Sequence, residues 1–206
     1  DSPENRLWMN ILAELYGNND EFRVCPSASL PNDYETSPNS FFGSSKKVWI
    51  IKIPSYGDYI GSYGVNHWIN DLLPPPHSWS GGWRSKPNCQ WRKTGASAAY
   101  NIPIVCDSNW YGGNPENDIM NNGGTVPPEP DWLYPLQAAS GSSTGNNIRL
   151  YDMARFCMPR HKAAVNVGFM DLSVKSVSLP DLWQLKWHKE SKPFYGVEIP
   201  WLQSTR

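Results

Sequence analysis

The stretch Arg160–Asp171, RHKAAVNVGFMD, continues as LSVKSVSLPDLWQLKWHKE over residues 172–190. Within it Val165, Val167 and Phe169 alternate with other residues, which is the period of a strand with one buried face. A second apolar and polar alternation follows after a short polar break. The stretch therefore predicts a β-hairpin near the end of the chain.

The turn of this hairpin is the unusual part. A two-residue turn at Asp171 and Leu172 would place Val174 opposite Phe169. Such a turn needs positive φ at both central residues, which glycine tolerates and leucine does not. We therefore expect the backbone at Leu172 to be strained, or the turn to have another shape.

Beyond the hairpin the sequence has the pattern of a helix start. Ser178 and Asp181 have the spacing of a capping pair, and Pro180 falls in the first turn. Trp183 and Trp187 then lie four residues apart, on one side of a helix. Residues 160–189 are thus predicted to form a hairpin followed by a short C-terminal helix.

The first 17 residues predict another helix. Ser2 is a suitable N-cap, and Gly17 is well placed as the C-terminal stop. Between them the apolar residues follow helical spacing: Leu7, Trp8, Ile11, Leu12 and Leu15. This spacing predicts one amphipathic helix.

The middle of the chain predicts short strands and long loops. Residues 48–54, 59–65 and 98–106 are β-prone runs. Much of residues 74–147 is rich in Pro, Gly, Asn and Ser, and we interpret that range as a loop-rich insertion. The 206 residues fit one domain, 1–206, of the α+β class.

Composition excludes some partners. The chain has 18 Lys and Arg against 19 Asp and Glu, for a net charge of −1, so it offers no basic face for nucleic acid. No run of about 18 apolar residues is present in the sequence, so no membrane-spanning helix is predicted from it.

The four cysteines, Cys25, Cys89, Cys106 and Cys157, form no C-x-x-C pair. An even number of widely spaced cysteines suits two disulfides in an oxidising compartment, and four buried thiols are the alternative. Of the three possible connectivities we favour Cys89–Cys106, which closes a short loop, and by elimination Cys25–Cys157.

Catalytic and metal patterns are weak in this sequence. His161 could be paired with Asp171 or with Cys157, but sequence spacing alone does not supply the geometry of a nucleophile and its base. The histidines have no H-E-x-x-H or H-x-H spacing. We predict no enzyme and no resident cofactor, and expect His161 to make structural hydrogen bonds where the chain enters the hairpin.

A tryptophan-rich loop is a candidate partner surface. Trp79, Trp83 and Trp91 alternate with basic residues in a Pro- and Gly-rich segment. Exposed tryptophans of this kind can stack on sugars or on a neighbouring subunit. Alternatively, the rings fold back and form a small core under the loop.

Several blocks of this sequence have the same kind and order as blocks of a known family. They are AELYGNNDEFRVCPSA at Ala13–Ala28, GSYGVNHWIND at Gly61–Asp71, NIPIVCDSNW at Asn101–Trp110, and the diproline Pro127–Pro128. His161 and Asp171 then have nine residues between them. The chain resembles the bacterial prepilin-like proteins named for a His-x9-Asp-Gly motif, which are relatives of type IV pilins and type II secretion pseudopilins.

The resemblance implies a pilin-like head: an N-terminal helix packed on an antiparallel sheet, long loops and a short C-terminal helix. It implies a structural subunit of an extracellular or cell-surface filament, periplasmic before assembly, whose partners are identical subunits. A secreted carbohydrate-binding module is the alternative function. Related pseudopilins often hold calcium in loops, which makes Asp107, Asp118 and Asp131 the candidate ligands.

Two features depart from the family pattern. Leu172 stands where the family has glycine, and the sequence lacks the apolar N-terminal helix that anchors pilins in the membrane. We expect that helix to have been removed or to be supplied by a separate short chain, so that membrane contact would occur only through it.

Overall fold

The computed structural model describes residues 7–17, 19–31, 40–53, 57–69, 87–92, 95–115, 152–199 and 202. These residues form one α-helix, α1 (Trp8–Leu12), several short 3₁₀ turns, and seven strands. The strands are β1 (Trp49–Ile53), β2 (Gly57–Gly61), β3 (Tyr63–Asn66), β4 (Pro103–Asp107), β5 (Gly112–Gly113), β6 (Ala164–Phe169) and β7 (Val174–Ser178).

The strands form two sheets. β1 and β2 make an antiparallel pair, and the other five lie in the order β5-β3-β4-β6-β7. All neighbours in the larger sheet are antiparallel except β3 and β5, which are parallel. The predicted strand at 48–54 is confirmed by β1, and the run 59–65 divides into β2 and β3 at Ser62. The run 98–106 is a strand only from Pro103 onward, because Ala99–Asn101 forms a 3₁₀ turn.

The main core lies against the five-stranded sheet and is rich in large rings. Val165, Val167 and Phe169 are all buried, as their alternation predicts. They pack with other buried residues, among which are Trp68, Phe156, Met158, Leu182, Trp183 and Trp187. Aromatic side chains supply much of the buried apolar area in such a core.

The predicted α+β architecture is wrong, because the described chain is mostly sheet. The N-terminal helix has one α-helical turn, α1, followed by a 3₁₀ segment, Ala13–Tyr16, that ends at Gly17 with φ 65°. Gly17 is thus the predicted stop, but Ile11 and Leu15 are 63% and 83% exposed rather than packed on the sheet. A change from 3.6 to 3.0 residues per turn rotates later side chains away from the original apolar side.

The predicted C-terminal helix is also corrected. A 3₁₀ helix covers only Pro180–Gln184, and Leu185 is already extended. Trp187 lies beyond this helix, and its carbonyl accepts hydrogen bonds from Asn66 Nδ2 and Trp91 Nε1. These long-range bonds hold the backbone of Trp187 outside the helix.

The loop-rich insertion at 74–147 is not separate from the fold. β4 falls within that range, lies between β3 and β6, and is therefore a central strand of the larger sheet. The bulk of the range, including residues 74–86 and 116–147, lies outside the described residues. No helix in the part of the chain that the structure describes has the length and apolar character needed to cross a membrane.

The hairpin between β6 and β7 has a three-residue loop. Phe169 N donates to Ser173 O at 2.9 Å, and Leu172 N donates to Phe169 O at 2.9 Å. Gly168 therefore pairs with Val174, and the predicted pairing of Phe169 with Val174 is wrong by one position. Leu172 has φ 67°, so it occupies the left-handed position that closes such loops and usually takes glycine.

We expect Leu172→Gly to stabilise the protein by about 0.5–1 kcal/mol. The left-handed backbone costs leucine about 1–2 kcal/mol, and glycine avoids most of this cost. The larger conformational entropy of glycine in the unfolded state offsets part of the resulting gain in stability. Little burial is lost, since Leu172 is 87% exposed. Urea denaturation measures the change, with Val174→Gly in the adjoining strand as a destabilising control. Equal or lower stability of Leu172→Gly would contradict the strain at this position.

Candidate functional site

A buried polar centre lies where the chain enters the hairpin, and Arg160 is its hub. The guanidinium of Arg160 is fully buried and donates to backbone carbonyls of two loops. Nη2 reaches Ser44 O at 2.7 Å and Lys47 O at 3.3 Å, Nε reaches Ser45 O at 3.4 Å, and Nη1 donates to Ser62 O. Burial lowers the pKa of Arg160, and the charge of Asp107 opposes that shift.

Asp107, the last residue of β4, is the acidic partner in this centre. Its carboxylate is fully buried, and Oδ1 lies 3.5 Å from Arg160 Nη1. Oδ2 accepts the backbone N–H of Asn166 in β6 at 2.7 Å. Asp107 therefore connects two neighbouring strands to the arginine, as a buried charge requires.

His161 is the third side chain of this centre, and it lies next to the fourth, Cys25. Its Nε2 lies 3.2 Å from Asp107 Oδ2 and 3.6 Å from Cys25 Sγ. Both partners meet the same ring nitrogen, whereas a nucleophile–base–acid triad needs the thiol at one nitrogen and the carboxylate at the other. This arrangement is unsuited to a Cys–His–Asp triad but brings sulfur, nitrogen and oxygen donors together, all within 4.8 Å of one another.

The surroundings of Cys25 are polar as well. Its backbone N–H donates to Ser62 Oγ at 2.5 Å. Burial, followed by the charges of Cys25 and Asp107, raises the pKa of the nearby Tyr63 to about 12. Tyr63 consequently stays a neutral hydrogen-bond donor at ordinary pH.

The predicted disulfides are not present, and all four cysteines are thiols in the structure. Cys25 contacts His161 instead of Cys157, and Cys89 Sγ lies 3.5 Å from Glu190 Oε2. Cys106 and Cys157 are part of the apolar core, and burial raises the pKa of both thiols. The alternative of four buried thiols agrees with this structure.

The remaining predicted site residues are spread over the molecule. Asp171 is exposed at the hairpin tip, where hydrogen bonds from the hydroxyl and backbone N–H of Ser173 lower its pKa. Trp183 and Trp187 are buried in the core. Trp91 is buried too, with its Nε1 bonded to Trp187 O at 3.1 Å and Lys186 over its ring.

The remaining candidates are the other tryptophans of the loop and the predicted calcium ligands. Trp79, Trp83, Asp118 and Asp131 lie outside the described residues. Asp107, proposed as a calcium ligand, faces a histidine and a thiol rather than the oxygen ligands that calcium prefers.

Two exposed apolar surfaces lie on different parts of the fold. The first, here called the groove surface, is an apolar groove of about 660 Å³ lined by Phe22, Val24, Ala28, Leu30, Val48 and Ile60. The second, the hairpin surface, surrounds the exposed end of the edge strand β7. Leu172 and Val174 are exposed there, and on the other face of the strand Lys175 Nζ lies 5.8 Å from the centre of the exposed Tyr100 ring.

The role of Arg160 and the meeting of Cys25, Asp107 and His161 are not evident from the sequence. Cys25 and His161 are 136 positions apart, and no spacing motif connects them. In the sequence, Arg160 is only the first residue of the hairpin stretch. Its position against Asp107 is seen only in the fold. Comparison of the chain with protein-family models, with curated proteins and with solved structures gave no match.

Proposed function

We propose that this chain is a structural subunit of an extracellular filament and that it assembles with identical copies through its groove and hairpin surfaces. The observation that supports this proposal is the presence of two separate exposed apolar surfaces on one small protein. Helical assembly uses heterologous contacts, in which one patch of a subunit meets a different patch of the next. The ordered blocks that resemble prepilin-like proteins support the same function.

The two surfaces are well separated in the fold. The groove surface includes Val48 and Ile60, beside the two-stranded sheet. The hairpin surface is on and next to β7, which is the edge strand of the other sheet. A contact that joins them would therefore leave one unused surface at each end of a dimer, and a third copy could add there.

Charge and exposure also favour a contact between these surfaces. Glu21 lines the groove, where Asp20 is already paired with Arg23, while Lys175 belongs to the hairpin surface. Phe22 is 67% exposed and Val174 is 73% exposed, so each surface presents a large apolar side chain to solvent. Burial of such side chains at about 25 cal/mol per Å² drives association, and opposite charges favour the heterologous register.

Sedimentation and electron microscopy test this assembly. At high concentration the wild-type protein should form elongated oligomers, whereas Phe22→Glu and Val174→Glu should each stay monomeric. Lys192→Glu changes an exposed residue away from both surfaces and is the control. Because each variant keeps one intact surface, an equimolar mixture of the two should form a one-to-one dimer that does not grow further.

The mixture separates heterologous from symmetric association. An isologous dimer uses the same surface on both copies. The variant that keeps this surface would then dimerise by itself, and mixing the two variants would produce no new complex. A wild-type protein that stays monomeric at every concentration and binds glycans on an array would instead support the carbohydrate-binding module.

A further inference from the structure

We propose that Cys25, Asp107 and His161 form a binding site for a divalent transition-metal cation of the zinc class. The three donors come from a loop after the N-terminal segment, from the end of β4 and from the entry to the hairpin. Among the residues that the structure describes, they form the group whose donor atoms are close enough to share an ion. This site is independent of the assembly surfaces and goes beyond the proposed structural function.

Two of the three donor separations are close to those of a tetrahedral ion, and the third, between Cys25 Sγ and the Asp107 carboxylate, is within 4.8 Å. Zinc bonds of about 2.0–2.3 Å place neighbouring tetrahedral ligand atoms about 3.4–3.6 Å apart. The separation of His161 Nε2 from Cys25 Sγ is 3.6 Å, and its separation from Asp107 Oδ2 is 3.2 Å. A shared cation explains why both partners meet a single ring nitrogen, which has only one lone pair to offer when neutral.

The chemical types of the three ligand atoms determine which cations the site prefers. Thiolate and imidazole prefer zinc, cobalt and similar cations, whereas calcium and magnesium prefer oxygen ligands. Three protein ligands leave one tetrahedral position for water or another ligand. The His161 side chain is 28% exposed, so an ion can enter from its side of the cluster.

Neighbouring groups hold the three ligands in place. The Asn166 N–H bonds to Asp107 Oδ2 and Arg160 lies against Oδ1, so the carboxylate is oriented through both oxygens. The backbone N–H of Cys25 donates to Ser62 Oγ at 2.5 Å, and the backbone N–H of His161 donates to Ala164 O at 3.1 Å. Such supporting hydrogen bonds are typical of metal sites.

The charge of Arg160 does not prevent binding. With Cys25 as a thiolate, that sulfur and Asp107 carry two negative charges against the single positive charge of Arg160. The centre is then net negative, and a divalent cation is attracted to it. Binding releases the Cys25 thiol proton, and affinity should therefore rise with pH.

Cobalt titration tests the site. Chelator-treated protein should bind one equivalent of Co²⁺ with a near-ultraviolet thiolate-to-cobalt charge-transfer band, and Zn²⁺ should remove that band by displacement. Cys25→Ser and His161→Gln should weaken binding by more than about 100-fold, because loss of a supporting partner alone costs about 10–100-fold. Cys157→Ala removes a buried thiol of the apolar core and should leave the band unchanged.

Circular dichroism shows whether each variant is folded. If Cys25→Ser does not fold, His161→Gln decides the question, since its ring is partly exposed. Failure of the wild-type protein to give the band, or equal Co²⁺ affinity in folded His161→Gln, would show that His161 donates a shared hydrogen bond to Asp107 and Cys25 and that no metal site exists.

Discussion

Arg160→Met should destabilise the protein by about 3–5 kcal/mol, because removal of one partner of a buried ion pair leaves the other charge uncompensated. Asp107 is that partner, and both side chains are fully buried. The change also removes the donors for the carbonyls of Ser44 and Ser62. Chemical denaturation with the midpoint and slope fitted together measures the loss.

Two comparisons make this result specific to the buried centre. Arg155→Met removes a less buried arginine, paired with Asp152 and bonded to Gly112 O, and should cost only about 1–2 kcal/mol. Asp107→Asn added to Arg160→Met removes the stranded charge, so the double variant should be more stable than the sum of the single losses predicts. Simple additivity would contradict the coupling of Arg160 and Asp107.

Trp187→Ala should cost about 3–5 kcal/mol, the usual loss when a fully buried aromatic side chain is truncated. Trp187 is completely buried, and its ring lies 4.9 Å from that of Phe156 between centres. Its Nε1 also donates to Leu182 O at 2.8 Å. The predicted loss therefore has a large packing part and a smaller hydrogen-bonding part.

Trp187→Phe separates these parts. It keeps an aromatic ring but removes the Nε1–H and part of the ring volume, so the loss should fall to about 1–2 kcal/mol, while the Leu182 carbonyl keeps its bond from Leu185 N–H. Phe194→Ala, at a partly exposed ring, is the matched control and should cost less than either Trp187 variant. Thermal unfolding of all three measures the order. An equal loss for Phe and Ala at position 187 would contradict the packing contribution.

Local patterns predicted several elements correctly. The alternation of Val165, Val167 and Phe169 identifies a strand with its buried side, because side chains point to opposite faces at every second residue. Gly17 ends the first helical segment because glycine adopts the left-handed backbone at little cost. At Leu172 the sequence predicts either a strained backbone or a turn of another shape, and the structure has both: φ is 67° and the loop has three residues.

Other predictions failed where distant contacts decide the outcome. The terminal helix stops at Gln184 because Asn66 and Trp91 bond the Trp187 carbonyl across the core. The disulfide prediction relied on cysteine number and loop length, neither of which reports where a sulfur atom points. In the fold Cys25 faces His161, and Cys106 and Cys157 lie in the apolar core.

The sequence by itself determined the strand periodicity, the stop at Gly17 and the strained hairpin position, since each depends on the conformational preferences of neighbouring residues. Tertiary structure alone decided the burial of Arg160 against Asp107 and the meeting of Cys25 with His161. Those features depend on hydrogen bonds and charges between segments up to 136 positions apart. No local pattern encodes such contacts, because they arise only when the strands that carry them form one sheet.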